Sequence, residues 1–109
     1  VESEPELRLV DNRDESRYQA FLGEDAVGYS EYETEPGRVI FTHTVVKPEF
    51  EGQGIGSRLA KFVIEDARSR GLRITPICPF IRAYLRRHRD YDAIVDYPSA
   101  RAAPPESVE

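Results

Sequence analysis

Hydrophobic and polar positions alternate along the first half of the chain and recur at helical spacing in the second. Leu7 and Leu9 stand two apart in a weak first strand that reaches Asp11. Turn residues from Asn12 to Glu15 lead to a second strand, in which Tyr18, Ala20 and Leu22 alternate with Gln19 and Phe21. Gly23-Glu24-Asp25 then turns the chain into a third strand from Ala26 to about Thr34, and Glu35-Pro36-Gly37 into a fourth from Arg38 to Val46. Strands joined by loops this short predict an antiparallel meander. The fourth strand is the most apolar. Strict alternation sets Val39, Phe41, His43 and Val45 on one face, with Ile40, Thr42, Thr44 and Val46 on the other. Apolar residues on both faces predict a strand covered on two sides. Lys47-Pro48 ends it, because proline has no N–H for the ladder.

From Ser57 to Arg70 the period changes. Leu59, Val63 and Ala67 recur every four residues, and Ala60, Phe62 and Ile64 widen the stripe. Gly71 sits where a C-terminal cap is expected. Leu72 to Cys78 reads as a short strand stopped by Pro79, and strand, crossover helix and strand predict a right-handed parallel pair. Phe80 to His88 reads as a second helix, with Ile81, Tyr84, Leu85 and His88 on one face; Tyr91 to Val95 adds a further helical turn. The pattern as a whole predicts an α/β fold, an α+β mixed sheet of about four antiparallel strands, a helix, a parallel fifth strand and a C-terminal helix. Residues 1–97 form one small domain in this reading, and the Pro-, Ala-, Ser- and Glu-rich run 98–109 a disordered tail.

Composition narrows the function more than the fold. A chain of 109 residues holds one core, and 39% apolar with 32% charged residues is ordinary for a soluble domain. A net charge of −5 argues against general nucleic-acid binding, and the apolar runs fall far short of a membrane span. The acidic opening Val1-Glu2-Ser3-Glu4 lacks the pattern of a secretory signal, so a reducing cytoplasm is the expected compartment. One cysteine excludes an internal disulfide and a multi-cysteine zinc site, and no metal is expected. Arg82, Arg86, Arg87 and Arg89 form a basic cluster that reads as a solvated helix face.

The chemistry gathers at Glu51-Gly52-Gln53-Gly54-Ile55-Gly56-Ser57, between the fourth strand and the first helix. Glycines let a backbone approach a ligand, and the first N–H groups of a helix lack intrahelical partners, so the stretch suits an anionic phosphate as well as a plain tight turn. A P-loop needs a lysine directly after its last glycine, but here Ser57-Arg58 follows Gly56. A dinucleotide fingerprint needs G-x-G-x-x-G in an early βαβ unit, whereas G-x-G-x-G follows four antiparallel strands here.

The run Val46 to Leu59 resembles the acetyl-CoA-binding motif of the GNAT superfamily of N-acetyltransferases, Arg/Gln-x-x-Gly-x-Gly/Ala opening a helix after the fourth strand. Gly54 and Gly56 match the small positions, while Glu51 stands where the family usually has Arg or Gln. Cys78-Pro79-Phe80 before the last helix, with His43-Thr44 on the fourth strand, resembles the small stand-alone Yjdj-type subgroup; Val45 stands where its members often have Glu. The resemblance spans roughly Ala26 to Tyr91.

It implies transfer of an acetyl group from acetyl-CoA, as co-substrate, to a small-molecule or protein amine. The implied cofactor contacts are Val45 and Val46 for the pantetheine arm, and Glu51, Gly52, Gln53, Gly54, Ile55, Gly56, Ser57 and Arg58 for the diphosphate. Cys78, Pro79, Phe80, Tyr84 and His88 complete the set. Three side chains are candidate catalytic groups. Cys78, at the end of the fifth strand, suits an acid for the departing thiolate or a nucleophile, and equally a small buried hydrophobe. Tyr84 suits a proton donor to the thiolate, or a core aromatic. His43 is a base candidate near neutral pH, on a face that also suits a structural histidine. The hairpin that usually follows the last helix has no sequence to form it, which implies an open acceptor cleft, or one completed in a homodimer rather than a monomer.

Overall fold

The computed structural model describes residues 6–98. The expected tail at 98–109 lies, apart from Pro98, outside the described residues. Strands β1 (Leu7–Asn12), β2 (Arg17–Leu22), β3 (Asp25–Glu35) and β4 (Arg38–Val46) form an antiparallel meander. Helix α1 (Ile55–Ser69) crosses to β5 (Arg73–Pro76), which pairs parallel to β4, and α2 (Pro79–Arg87) follows. The sheet runs in the order β1-β2-β3-β4-β5, so the α/β mixed sheet expected from the period of the sequence is the fold observed.

Both helices pack on one face of this sheet. Leu59, Ala60, Val63, Ile64 and Ala67 of α1 meet Ile81, Tyr84 and Leu85 of α2 in one buried cluster with Val39, Phe41 and Ile74. A smaller cluster of Ala20, Val27 and Ile55, joined by Val46 and Phe50, sits under the start of α1. Among the described residues no element covers the other face. The expectation that β4 is covered on both sides therefore fails: Ile40 and Val45, on the outer face, are only half-buried.

Three further differences have local causes. A bulge in the β3–β4 pairing, where Glu31 faces His43 but Tyr32 faces Phe41, inserts an extra residue at Thr42. Alternation shifts there by one. Thr44 and Val46 then share the helix-covered face with Val39 and Phe41, while His43 and Val45 turn outward. Helix α1 begins at Ile55, two positions before Ser57, because Gly54 adopts a left-handed φ of 80° as its N-cap and Ile55 is buried at once. Strand β5 ends at Pro76 rather than Cys78. Beyond it the N–H groups of Ile77 and Cys78 both donate to the carbonyl of Phe41, at 3.0 and 2.8 Å.

Candidate active site

That shared carbonyl marks the point where β4 and β5 part. The parallel pairing stops at Phe41 with Pro76, yet β4 continues to Val46 with only β3 beside it. Lys47 donates to the Val27 carbonyl across the β3–β4 pair. Antiparallel residues alternate in the edge they address, so the backbone groups of Thr44 and Val46 face the opening, and those of Val45 face β3.

A cavity of 370 Å³ lies in the opening, lined by Thr44, Val46, Phe50, Glu51, Gly52, Gly54, Ile55, Gly56, Ser57 and Phe80. Its floor is the start of α1. No side chain caps this helix, and no acidic residue occupies its first turn, so its leading N–H groups and the positive end of its dipole are left to the cavity. Gly52 and Gly54 carry φ of 87° and 80°, and a Cβ on either would meet nothing within 4 Å. These glycines serve the left-handed turn, whose outer side is open for a ligand. Gly56 serves proximity instead: a Cβ there would stand 2.7 Å from the Phe80 ring, which roofs the cavity from α2 and is 39% exposed. The cradle therefore fits a phosphate-bearing ligand that runs along β4.

The structure brings together most of the sequence-predicted contacts but separates the three catalytic candidates. Val46, Phe80 and the stretch Glu51–Ser57, apart from Gln53, line the cavity. Cys78 is the N-cap residue of α2 and buried; its thiol donates to Oγ1 of Thr44 at 3.3 Å. Tyr84 is in the core, stacked on His88 with ring centroids 4.0 Å apart. Burial, together with the nearby charge of Asp90, pushes its phenol above the ordinary tyrosine pKa. His43 is exposed on the outer face, 6.2 Å from the Tyr29 ring. Arg58 is exposed near the start of α1, where its N–H already bonds the Gly54 carbonyl. Pro79 opens α2.

Sequence reasoning missed Phe50 and the role of Thr44. Phe50 carries no signal beyond its apolarity. Thr44 is half of the His43-Thr44 pair, but its turn into the cavity depends on the Thr42 bulge. Among the described residues no cluster of three or more His, Cys, Asp or Glu is placed to hold a metal, and no helix is long and apolar enough to cross a membrane.

A mixed sheet whose parallel pair parts beside an uncapped, glycine-opened helix defines a class of fold with free backbone donors at one strand edge. Comparison with known proteins gives that class a family: the model of the GCN5-related N-acetyl-transferases matches residues 17–94, and the chain belongs to this family. A candidate GCN5-like N-acetyltransferase of Staphylococcus aureus, solved in solution, is similar over 91% of this chain and 95% of its own, with 26% identity and a TM-score of 0.65. The ribosomal-protein-S18-alanine N-acetyltransferase of Escherichia coli aligns over 53% of this chain at 17% identity and a TM-score of 0.52, a likeness of fold. The alignment spans 38% of that enzyme's length. A search of curated proteins found no match.

Proposed function

We propose that the protein transfers an acetyl group from acetyl-CoA to the amine of a small molecule or protein. The observation that carries this reading is the cavity where β4 outlasts β5, floored by the uncapped start of α1. The N–H groups from Gln53 to Ser57 hold the diphosphate, the helix dipole contributing about 0.3–2 kcal/mol. The pantetheine arm lies along the free edge at Thr44 and Val46. A β4 N–H there meets the oxyanion that forms when the amine attacks the thioester carbonyl. The new C–N bond replaces the C–S bond, and the proton lost by the amine ends on the thiol. The residues His43-Thr44 and Cys78-Pro79-Phe80 support assignment to the small Yjdj-type subgroup within the family.

Tyr84 and Cys78 enter as proton donors only if the protein opens around them, since both are buried. That burial favours a second reading, an acyl-CoA-binding module without turnover. Titration calorimetry with acetyl-CoA tests the shared premise: heat of binding below millimolar ligand is expected, and none would sink both readings. Incubation with acetyl-CoA and an amine panel, followed by free thiol release above the buffer blank, separates them. Release supports transfer, and Cys78→Ala with unchanged turnover removes Cys78 from the chemistry.

A further inference from the structure

Behind the cavity wall stands a short polar chain that the reading above leaves unused. Ser30 and Cys78 are 0% and 2% exposed, and neither lines the cavity. Thr44 does line it, and both buried groups reach its hydroxyl: the Cys78 thiol donates at 3.3 Å, and Ser30 Oγ lies at 2.9 Å. The direction of the second bond follows from the cost of orphaned donors. Were Thr44 to donate to Ser30, the serine's own proton would be buried without an acceptor, because no other side-chain hydrogen bond of Ser30 exists among the described residues. With Ser30 as donor, both lone pairs of the Thr44 oxygen are filled, and its single proton is left to point into the cavity. Two buried donors on one oxygen also polarise the O–H they serve.

Acetyl transfer places negative charge on two atoms. Backbone N–H groups on β4 answer the carbonyl oxygen, and the departing sulfur still needs a donor. We propose that Thr44 donates a hydrogen bond to the sulfur of the acyl donor as the C–S bond breaks, with Ser30 and Cys78 as positioning residues that aim its proton. No proton is transferred from Thr44. The one that ends on sulfur is still the amine's, so the atom balance of acetyl transfer is unchanged. Cys78 thereby gains a role that its burial permits, and the deep position of Tyr84 ceases to be an obstacle. The inference rests on the acetyl-transfer reading of the cavity.

The test uses free coenzyme A and needs no acceptor. A donor aimed at sulfur stabilises the thiolate, so the pKa of the bound coenzyme thiol reports it directly. That pKa is read from ultraviolet thiolate absorbance, with the same protein saturated by desulfo-coenzyme A as the blank to remove Cys78 and the tyrosines. Thr44→Val is expected to raise the bound thiol's pKa by about one unit, roughly tenfold less thiolate at a given pH. Thr44→Ser restores it. Ser30→Ala, which leaves Thr44 in place, raises it by a smaller step. An unchanged thiol pKa in Thr44→Val overturns the proposal; should that variant not fold, an unchanged value in Ser30→Ala does so. If the wild-type protein binds neither coenzyme A nor its desulfo analogue, it is the acetyl-transfer reading that fails, and this inference goes with it.

Discussion

The two ends of α1 treat their polar groups in opposite ways. At the C-terminal end backbone and side-chain groups alike find partners within the chain. Gly71, with φ 71°, lets its N–H reach the Arg68 carbonyl and the Leu72 N–H reach that of Ala67, at 3.1 and 3.0 Å. Arg70 bridges Asp66 and Asp11 at 2.9 and 3.1 Å, while Tyr18 and Tyr32 donate to the same two carboxylates, each at 2.6 Å. At the N-terminal end no side chain caps the helix, and two left-handed glycines hold the chain away from its free N–H groups. One end fastens α1 to β1, β2 and β3; the other leaves donors for a ligand. Stability and binding are therefore separable in this helix by the end at which it is altered.

The largest effect is expected at the fastened end. Asp11 is 14% exposed in its side chain and takes Tyr32, Arg70 and Arg13 at once. Asp11→Ala strands the Tyr32 hydroxyl, frees the Arg13 guanidinium and leaves Arg70 to Asp66 alone, for a loss of about 2–3 kcal/mol in urea unfolding and a Tm lowered by roughly 10 °C. Affinity for acetyl-CoA, measured below the unfolding transition, is expected to hold within about twofold. A parallel fall in affinity would join the two ends into one unit.

The reverse pattern is expected of Gly54→Val. A β-branched residue at φ 80° costs about 1–2 kcal/mol and re-aims the first turn of α1. Acetyl-CoA binding by calorimetry should weaken at least tenfold, with a smaller effect on unfolding than that of Asp11→Ala. Retained affinity would remove the first-turn N–H groups from the site. Gly56→Ala is the milder companion, because its Cβ would displace only the movable rim of the Phe80 ring.

The fastened end can also be probed by single hydroxyls. Tyr18→Phe removes the donor to Asp66 and should cost about 1 kcal/mol without changing affinity. Tyr32→Phe removes the donor to Asp11 and has a pH signature. Burial first, then that hydrogen bond, push the Tyr32 phenol up to about 12. A phenol whose pKa rises on folding adds stability below its unfolded value near 10, and this is lost as the pH climbs towards 12. The wild-type urea midpoint should fall more steeply than that of Tyr32→Phe across this window.

The same contrast separates what was legible in the sequence from what was not. Strand β4 carries its limits openly, between Pro36-Gly37 and Lys47-Pro48, and Arg38–Val46 was readable to the residue. The buried stripe of α1 was equally plain, since Leu59, Val63 and Ala67 keep a period that only a helix satisfies. The bulge at Thr42 has no glycine or proline to announce it, so His43 read as sharing a face with Val39 and Phe41, and Thr44 as lying on the opposite one. The fifth strand read on to Cys78, stopped by Pro79, whereas the N–H groups of Ile77 and Cys78 leave the ladder and share the Phe41 carbonyl. The contacts of Thr44 with Ser30 and Cys78 cross 14 and 34 residues. No local pattern encodes such pairs, whereas the glycines of the cradle are local and were visible at once.

The smallest expected effect lies outside both ends of α1 and serves as their control. Asp96 accepts from Arg73 at 2.6 and 2.8 Å and from Arg38 at 2.8 Å, tying the chain after α2 back to β4 and β5. The hydrogen bond from Arg73, then that from Arg38, hold its carboxyl well below the usual carboxylate range. Its side chain is 41% exposed, so the pair is screened and its contribution is modest. The sign is fixed nevertheless. Between the depressed folded pKa and the unfolded value near 4, the unfolded chain binds the proton more readily, so stability falls as the pH drops through that interval. Asp96→Asn cannot take up that proton, and its urea midpoint should decline less than the wild-type midpoint between about pH 5 and pH 3. Since Asp96 touches neither the cavity nor the Asp11–Asp66 network, acetyl-CoA affinity should be the same in both proteins at pH 7. An affinity change there would mean that the separation seen along α1 does not extend to the rest of the fold.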